Sequence, residues 1–154
     1  MRIVPIPDTS LKPSALCLGT ALFGSEIGRA DSFALMDAFL EGGGNFLDTA
    51  RNYADWLPGE KHVSEKTIGL WMRERRNRER VIVATKGAQL DAVTKAARLA
   101  RADLEFDLAE SLNHLRIDAI DLYWLHRDDV NRPVEEIMDT LHDQVAAGKI
   151  RYCG

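Results

Sequence analysis

Short apolar runs alternate with helical stretches four times along this chain. "SALCLGT" (14–20) reads as a strand closed by a glycine. Asp31 is placed to cap a helix that runs to about Gly42, with Leu35, Phe39 and Leu40 on its inner face; Gly42 to Gly44 stop it. "NFLDTA" (45–50) is a second strand. Ser64 opens a second helix with Ile68, Trp71 and Met72 inward. "RVIVATKG" (80–87) is a third strand, rich in β-branched residues. Leu104, Leu108, Leu112 and Leu115 recur at helical spacing, and "AIDLYWLH" (119–126) is a fourth strand. Asn131 and Pro133 begin a fourth helix with Val134, Ile137, Leu141 and Val145 inward, and Gly148 ends it. "KIRYCG" then starts a fifth strand.

Such alternation calls for parallel strands joined by right-handed helical crossovers. Two architectures satisfy it. A doubly wound dinucleotide-binding sheet wants G-x-G-x-x-G directly after the first strand. The glycines here are Gly19, Gly24 and Gly28, and the spacing is wrong. A (β/α)8 barrel of the TIM type needs eight units and roughly 250 residues. Four units and the start of strand 5 make the N-terminal half of one, within a single domain over residues 1–154.

Composition narrows the function classes. The chain has 154 residues, 45% hydrophobic and 29% charged, as expected of a globular domain with a real core. A net charge of −4 gives no electrostatic reason to expect nucleic acid or an anionic membrane as partner. "MRIVPIPDTS" carries no apolar signal core, and no run of about 18 apolar residues occurs. The expected compartment is the cytoplasm. Cys17 and Cys153 sit in apolar runs and read as small buried thiols in a reducing compartment. His62, His114, His126 and His142 show no metal-binding spacing, so no metal is expected.

The chemistry-bearing residues fall at strand ends. Asp48 lies near the C-terminal end of strand 2, Lys86 at the same end of strand 3, and His126 closes strand 4. Tyr53 follows in the loop after strand 2. In a parallel barrel these ends share one face, where active sites sit. Each residue has an ordinary explanation as a turn cap, a solvated lysine, a structural histidine or a packed ring. Four of them at successive strand ends point instead to one pocket. A phenol is a weak acid, and a neighbouring ammonium favours its phenolate. A carboxylate keeps that ammonium charged and aimed, and an imidazole can orient a carbonyl oxygen. None of these groups supplies hydride, so a nicotinamide cofactor is implied. Imine chemistry at Lys86 is a competing reading.

Taken together, "LCLGTALFG", "GGNFLDTARNY", "VIVATKG", "LAESLNHLRIDAIDLYWLHRDD" and "PVEEIMDTLHDQVAAGKIRYCG" resemble the aldo-keto reductase family over nearly the whole chain. The segment "RIVPIPDTSLKPSAL" resembles the β-hairpin that plugs the barrel bottom in that family. The resemblance implies Tyr53 as proton donor, Asp48 and Lys86 as its tuning pair, and His126 as the group that orients the substrate carbonyl. It implies that Gly19 and Thr20 lie near the nicotinamide and that Asp48 touches its ribose. The implied cofactor is NADPH (NADP+), and the implied reaction is reduction of aldehydes or ketones to alcohols. Family members are about twice as long, so the expected chain is a half-barrel, either natural or from a shortened gene, and inactive alone. Its open strand edges are expected to pair with a second copy or with the missing C-terminal half. The alternative is a non-catalytic binding or regulatory descendant. Trp56, Leu22 and Trp124 are expected near the pocket wall.

Overall fold

The computed structural model describes residues 1–154. Five strands, β1 (Leu18–Gly19), β2 (Phe46–Asp48), β3 (Ile82–Gly87), β4 (Ile120–Leu125) and β5 (Ile150–Cys153), form one sheet in the order β1-β2-β3-β4-β5. Every pairing is parallel. Helices α1 (Arg29–Glu41), α2 (Val63–Arg75), α3 (Arg101–Leu115) and α4 (Val134–Ala146) fill the four crossovers. This is the expected (β/α)4 half of a barrel.

Pleating divides the side chains of the strands between two environments. Leu47, Val83 and Tyr123 face the helices and join Met36, Ile68, Trp71, Leu104, Leu108 and Ile137 in the main core. The opposite face carries Ala84 and Leu122, which meet Leu11 in a second, smaller cluster, with Phe46, Ile82 and Tyr152 packed beside them. Val83 therefore belongs to the helix-facing layer, with Ala84 on the inner face.

Leu11 comes from the N-terminal segment, which folds back on itself as a hairpin. Ala15 N–H donates to Arg2 O (2.8 Å), Val4 N–H to Pro13 O (2.9 Å) and Ile6 N–H to Leu11 O (3.2 Å). Its tip is tied to β5, where Ser10 N–H donates to the Tyr152 hydroxyl at 2.9 Å. The hairpin thus covers the N-terminal end of the inner face, the place the sequence resemblance implied.

Helix packing explains where the sequence reading of the helices shifts. In α1 the buried residues are Ser32, Phe33 and Met36, while Leu35 is exposed and Phe39 and Leu40 are only partly covered. The helix begins one turn earlier than a cap at Asp31 would place it: Gly28 is the N-cap, and Asp31 lies in the first turn. Helix α2 buries Ile68, Trp71 and Met72 as expected, but its N-cap is His62 in the left-handed region (φ 58°). The hydroxyl of Ser64 is used elsewhere, as described below. In α4, Ile137 and Leu141 are buried and Val134 is exposed. α2 and α3 approach so closely that a side-chain carbon at Gly69 would strike the backbone of His114 and Leu115. Only glycine permits that contact.

Candidate active site

Strand β3 sets the geometry. Its successive residues Thr85 and Lys86 point to opposite faces. Thr85 faces the helices and is fully buried, with its hydroxyl donating to Glu65 Oε1 at 2.6 Å. Lys86 lies on the inner face. Its ammonium donates to Asp48 Oδ2 at 2.6 Å, to Thr49 O at 2.9 Å and to the Tyr53 hydroxyl at 2.9 Å. Three acceptors satisfy the three protons of one ammonium. The Tyr53 hydroxyl also lies 3.5 Å from Asp48 Oδ2. Side-chain exposures of 18% for Lys86 and 28% for Asp48 leave this cluster shielded yet open to a ligand.

The strand ladder carries the loops into position. Beyond β2, Thr49 N–H donates to Ala84 O and Arg51 N–H to Lys86 O. Beyond β4, His126 N–H donates to Gly87 O at 2.8 Å. Tyr53 follows in a turn held by its own N–H on Ala50 O, and Ala54 takes a positive φ of 67°. The His126 ring stands edge-on to Tyr53, with centroids 6.0 Å apart. Partial burial, followed by the charges of Lys86 and Arg127, holds the His126 pKa below its usual value, which favours the neutral imidazole. Its Nδ1 is buried without a partner.

Of the six residues singled out from sequence, Asp48, Tyr53 and Lys86 form one hydrogen-bonded group, and His126 stands beside it. Gly19 is exposed at the end of β1, paired with Asp48, and an added side chain there would meet nothing within 4 Å. The backbone at Gly19 is thus an open edge that a flat ring can approach, so these strand ends fit the nicotinamide end of a dinucleotide. Thr20 lies deeper. It is completely buried, and its hydroxyl donates to Asp48 O (2.9 Å) and meets Ser64 Oγ at 2.9 Å. Ser64 in turn bonds Thr20 O and Thr49 Oγ1. Thr20 has no surface to offer a ligand and instead clamps β1 to β2 and α2.

Sequence reading missed three groups around the site. Thr49 contributes only its carbonyl, which leaves no trace in residue type. Cys17, expected to be buried, is exposed beside Asp48; partial desolvation, then the Asp48 charge, pushes its thiol up to about 11. A cavity of about 630 Å³ opens beside Lys86 and Gly87, walled by Arg51, Asn52, Trp56, Gln89, Arg98 and Arg127, among others. Trp56 is 60% exposed and packs edge-on to Tyr53, so it borders the site as expected. Trp124 is 37% exposed on the inner face, paired with Lys86.

These features define a parallel half-barrel with an Asp–Tyr–Lys group at its strand ends. Residues 15–154 match the family model of the Aldo/keto reductase family, and the chain belongs to that family. It is 38% identical to norsolorinic acid reductase of Emericella nidulans over 96% of its length and 40% of that protein's. It is 35% identical to an aryl-alcohol dehydrogenase [NADP(+)] of Phanerodontia chrysosporium, over 96% of this chain and 42% of the relative. Among solved structures, the holo form of an aldo-keto reductase from Bacillus halodurans superposes with a TM-score of 0.82 at 27% identity. That match covers 99% of this chain and 49% of the other. The chain therefore spans less than half the length of these curated relatives. The sheet with alternating helices corresponds to about half of an aldo-keto reductase (β/α)8 barrel. No helix is long and apolar enough to cross a membrane.

Proposed function

We propose that the protein carries the acid–base half of an NADPH-dependent carbonyl reductase that converts aldehydes or ketones to alcohols. The single observation behind this reading is the Lys86 ammonium, which joins the Asp48 carboxylate to the Tyr53 hydroxyl. When bound, the nicotinamide supplies the hydride to the carbonyl carbon. The chain's own residues manage the oxygen. Tyr53 donates a hydrogen bond to the carbonyl oxygen and gives up its proton as negative charge develops there. The phenolate that remains lies 2.9 Å from Lys86 Nζ, which stabilises it at the moment of transfer. Asp48 fixes the ammonium in place. With Nδ1 of His126 buried and unpartnered, the neutral ring is best served by carrying its proton on Nε2, because a buried bare N–H is costly. That proton is the second donor for the carbonyl oxygen. NADP specificity is supported by the 35% identity to an NADP-dependent aryl-alcohol dehydrogenase.

The test is NADPH consumption with a panel of aldehydes in a completed barrel, wild type against Tyr53→Phe. Turnover falls by about 10²–10⁴-fold in the variant, with NADPH affinity held within a few fold. A variant that keeps more than about a tenth of the wild-type rate removes Tyr53 from the role assigned to it.

β1 and β5 each have one neighbour in the sheet, so each presents an open edge. We propose that these edges pair with the other half of a barrel or with a second copy of the chain. Light scattering on the isolated chain checks this, and a monodisperse monomer that melts cooperatively counts against it.

A further inference from the structure

The cavity beside Lys86 is lined on one wall by cations whose hydrogen-bonding capacity the fold does not use up. Arg51 donates only through Nε, to Asp107 Oδ1 at 3.0 Å. Its guanidinium plane lies over the Phe106 ring at 5.5 Å, which leaves both terminal nitrogens without a partner in the chain. Arg98 engages Asp107 Oδ1 at 2.6 Å and approaches Asp103 at 3.7 Å, both through one terminal nitrogen. Arg127 donates only Nε, to Gln89 Oε1 at 3.0 Å. Lys95, also on the wall, has one bond, to a backbone carbonyl.

The carboxylates of the same cavity are more fully engaged. Asp107 is 2% exposed and saturated: two guanidiniums share one oxygen, and Ala88 N–H takes the other at 2.9 Å. Asp55 accepts from His62 N–H at 2.6 Å and faces the His62 ring at 3.1 Å. Asp91 accepts from the N–H groups of Val93 and Thr94 and from the Thr94 hydroxyl. All three bonds to Asp91 fall on Oδ1, so its Oδ2 stays free; even so, five cations face three carboxylates around the cavity, in a chain whose overall charge is −4. Such local reversal of sign attracts an anion, and guanidinium forks suit a carboxylate.

We propose that this groove is a subsite for a carboxylate on the carbonyl substrate, so that the preferred substrates are aldehydes or ketones that also carry an acid group. The proposal rests on the carbonyl-reductase reading for its chemistry but on the groove alone for its recognition. Lys86 and Trp56 belong to both places: Lys86 donates to Tyr53, Trp56 packs on it, and both line the groove. The groove therefore borders the Tyr53 hydroxyl through Lys86 and Trp56. The cavity volume of about 630 Å³ admits an aromatic acid.

Two measurements keep the two readings apart. The first is cofactor-free binding of benzoate against benzamide, its neutral counterpart, followed by tryptophan fluorescence, with Trp56 on the wall of the groove. Benzoate binds at least about tenfold more tightly, the difference shrinks with added salt, and NADP+ does not displace it. Arg98→Gln weakens benzoate about tenfold and leaves benzamide unchanged. The double variant Lys95→Gln/Arg127→Gln, which touches no buried ion pair, weakens benzoate several fold and serves if Arg98→Gln fails to fold. Equal binding of benzoate and benzamide overturns the proposal. So does displacement of benzoate by NADP+, which would give the groove to the cofactor.

The second measurement, in a completed barrel, compares kcat/KM for 4-carboxybenzaldehyde and benzaldehyde with NADPH. The acid is preferred about tenfold, and the arginine variants erase the preference through KM with kcat retained. Reduction of both aldehydes with no preference overturns the subsite and spares the reductase reading. Failure to reduce either aldehyde, with benzoate selectivity intact, does the reverse.

Discussion

Thr85 and Lys86 are neighbours in sequence and opposites in circumstance. Each lies against a carboxylate: Glu65 for Thr85, Asp48 for Lys86. Glu65 is completely buried, and its two oxygens are taken, one by Thr85 and the other by His114 Nδ1 at 3.1 Å. The His114 ring in turn stacks on His62 with centroids 4.8 Å apart. Glu65 and Thr85 have no exposed surface with which to meet a ligand. Around Asp48 the bonding is equally dense, but the group borders open space, and the Tyr53 hydroxyl retains a proton to give. A buried and closed polar network fixes a fold, whereas one left open at one side can do chemistry. The comparison teaches that hydrogen-bond density does not mark an active site; access does.

The comparison predicts a crossed pattern of losses. On the proposed mechanism, Lys86→Met removes the group that stabilises the developing phenolate, and turnover in a completed barrel drops by about 10²-fold or more. Its denaturant midpoint moves little, because the pair it breaks is partly solvated. Steady-state kinetics beside urea unfolding check both halves. Glu65→Ala does the converse. It strands the Thr85 hydroxyl and the His114 ring in the core, and stability falls by about 3 kcal/mol, while the rate per folded molecule is retained. A Glu65 variant that loses activity without losing stability would merge the two clusters into one. Thr85→Val is gentler. It removes one donor and leaves Glu65 Oε1 unpaired, at about 1–2 kcal/mol by the same unfolding measurement.

The smallest effect is one of pH. The folded pKa of His126 lies below its ordinary value of 6.5 because the imidazolium is disfavoured by burial and by Lys86. Between those two values the unfolded chain binds the proton and the folded chain does not. The contribution of His126 to stability is therefore present above pH 6.5 and lost as pH falls toward the depressed pKa. His126→Gln removes that slope, seen as the wild-type minus variant difference in urea midpoint across the acid range. A difference that stays flat would mean that His126 is solvated like a free imidazole.

What the sequence made legible follows from periodicity. Ile68, Trp71 and Met72, or Leu104 and Leu108, declare a helix face because each contributes to a repeating stripe. Asp48, Lys86 and His126 were legible because they end strands, and parallel strand ends share a face. The Glu65–Thr85–His114 network was not legible, since its members are 20 and 49 residues apart and share no repeat. The bond between the Thr20 hydroxyl and Ser64 was hidden for the same reason: the two lie 44 positions apart. Helix starts were displaced where tertiary contacts outweighed side-chain caps. Ser64 would cap α2 in an isolated peptide, but it is drawn into the Thr20–Thr49 cluster, and His62 ends up at the N-cap with a positive φ.

The strand hydrogen bonds that run on past β2 and β4 have a consequence in time. Arg51 is held on Lys86, and His126 on Gly87, by the same kind of bond that joins the strands. The segments that carry Tyr53 and the His126 ring therefore move with the sheet rather than as free loops. Ordering a mobile backbone costs about 1–2 kcal/mol per residue, and here that cost falls on folding rather than on each encounter with a ligand. A ligand at these strand ends meets the Tyr53 hydroxyl and the His126 ring on backbone that is already tied to the sheet.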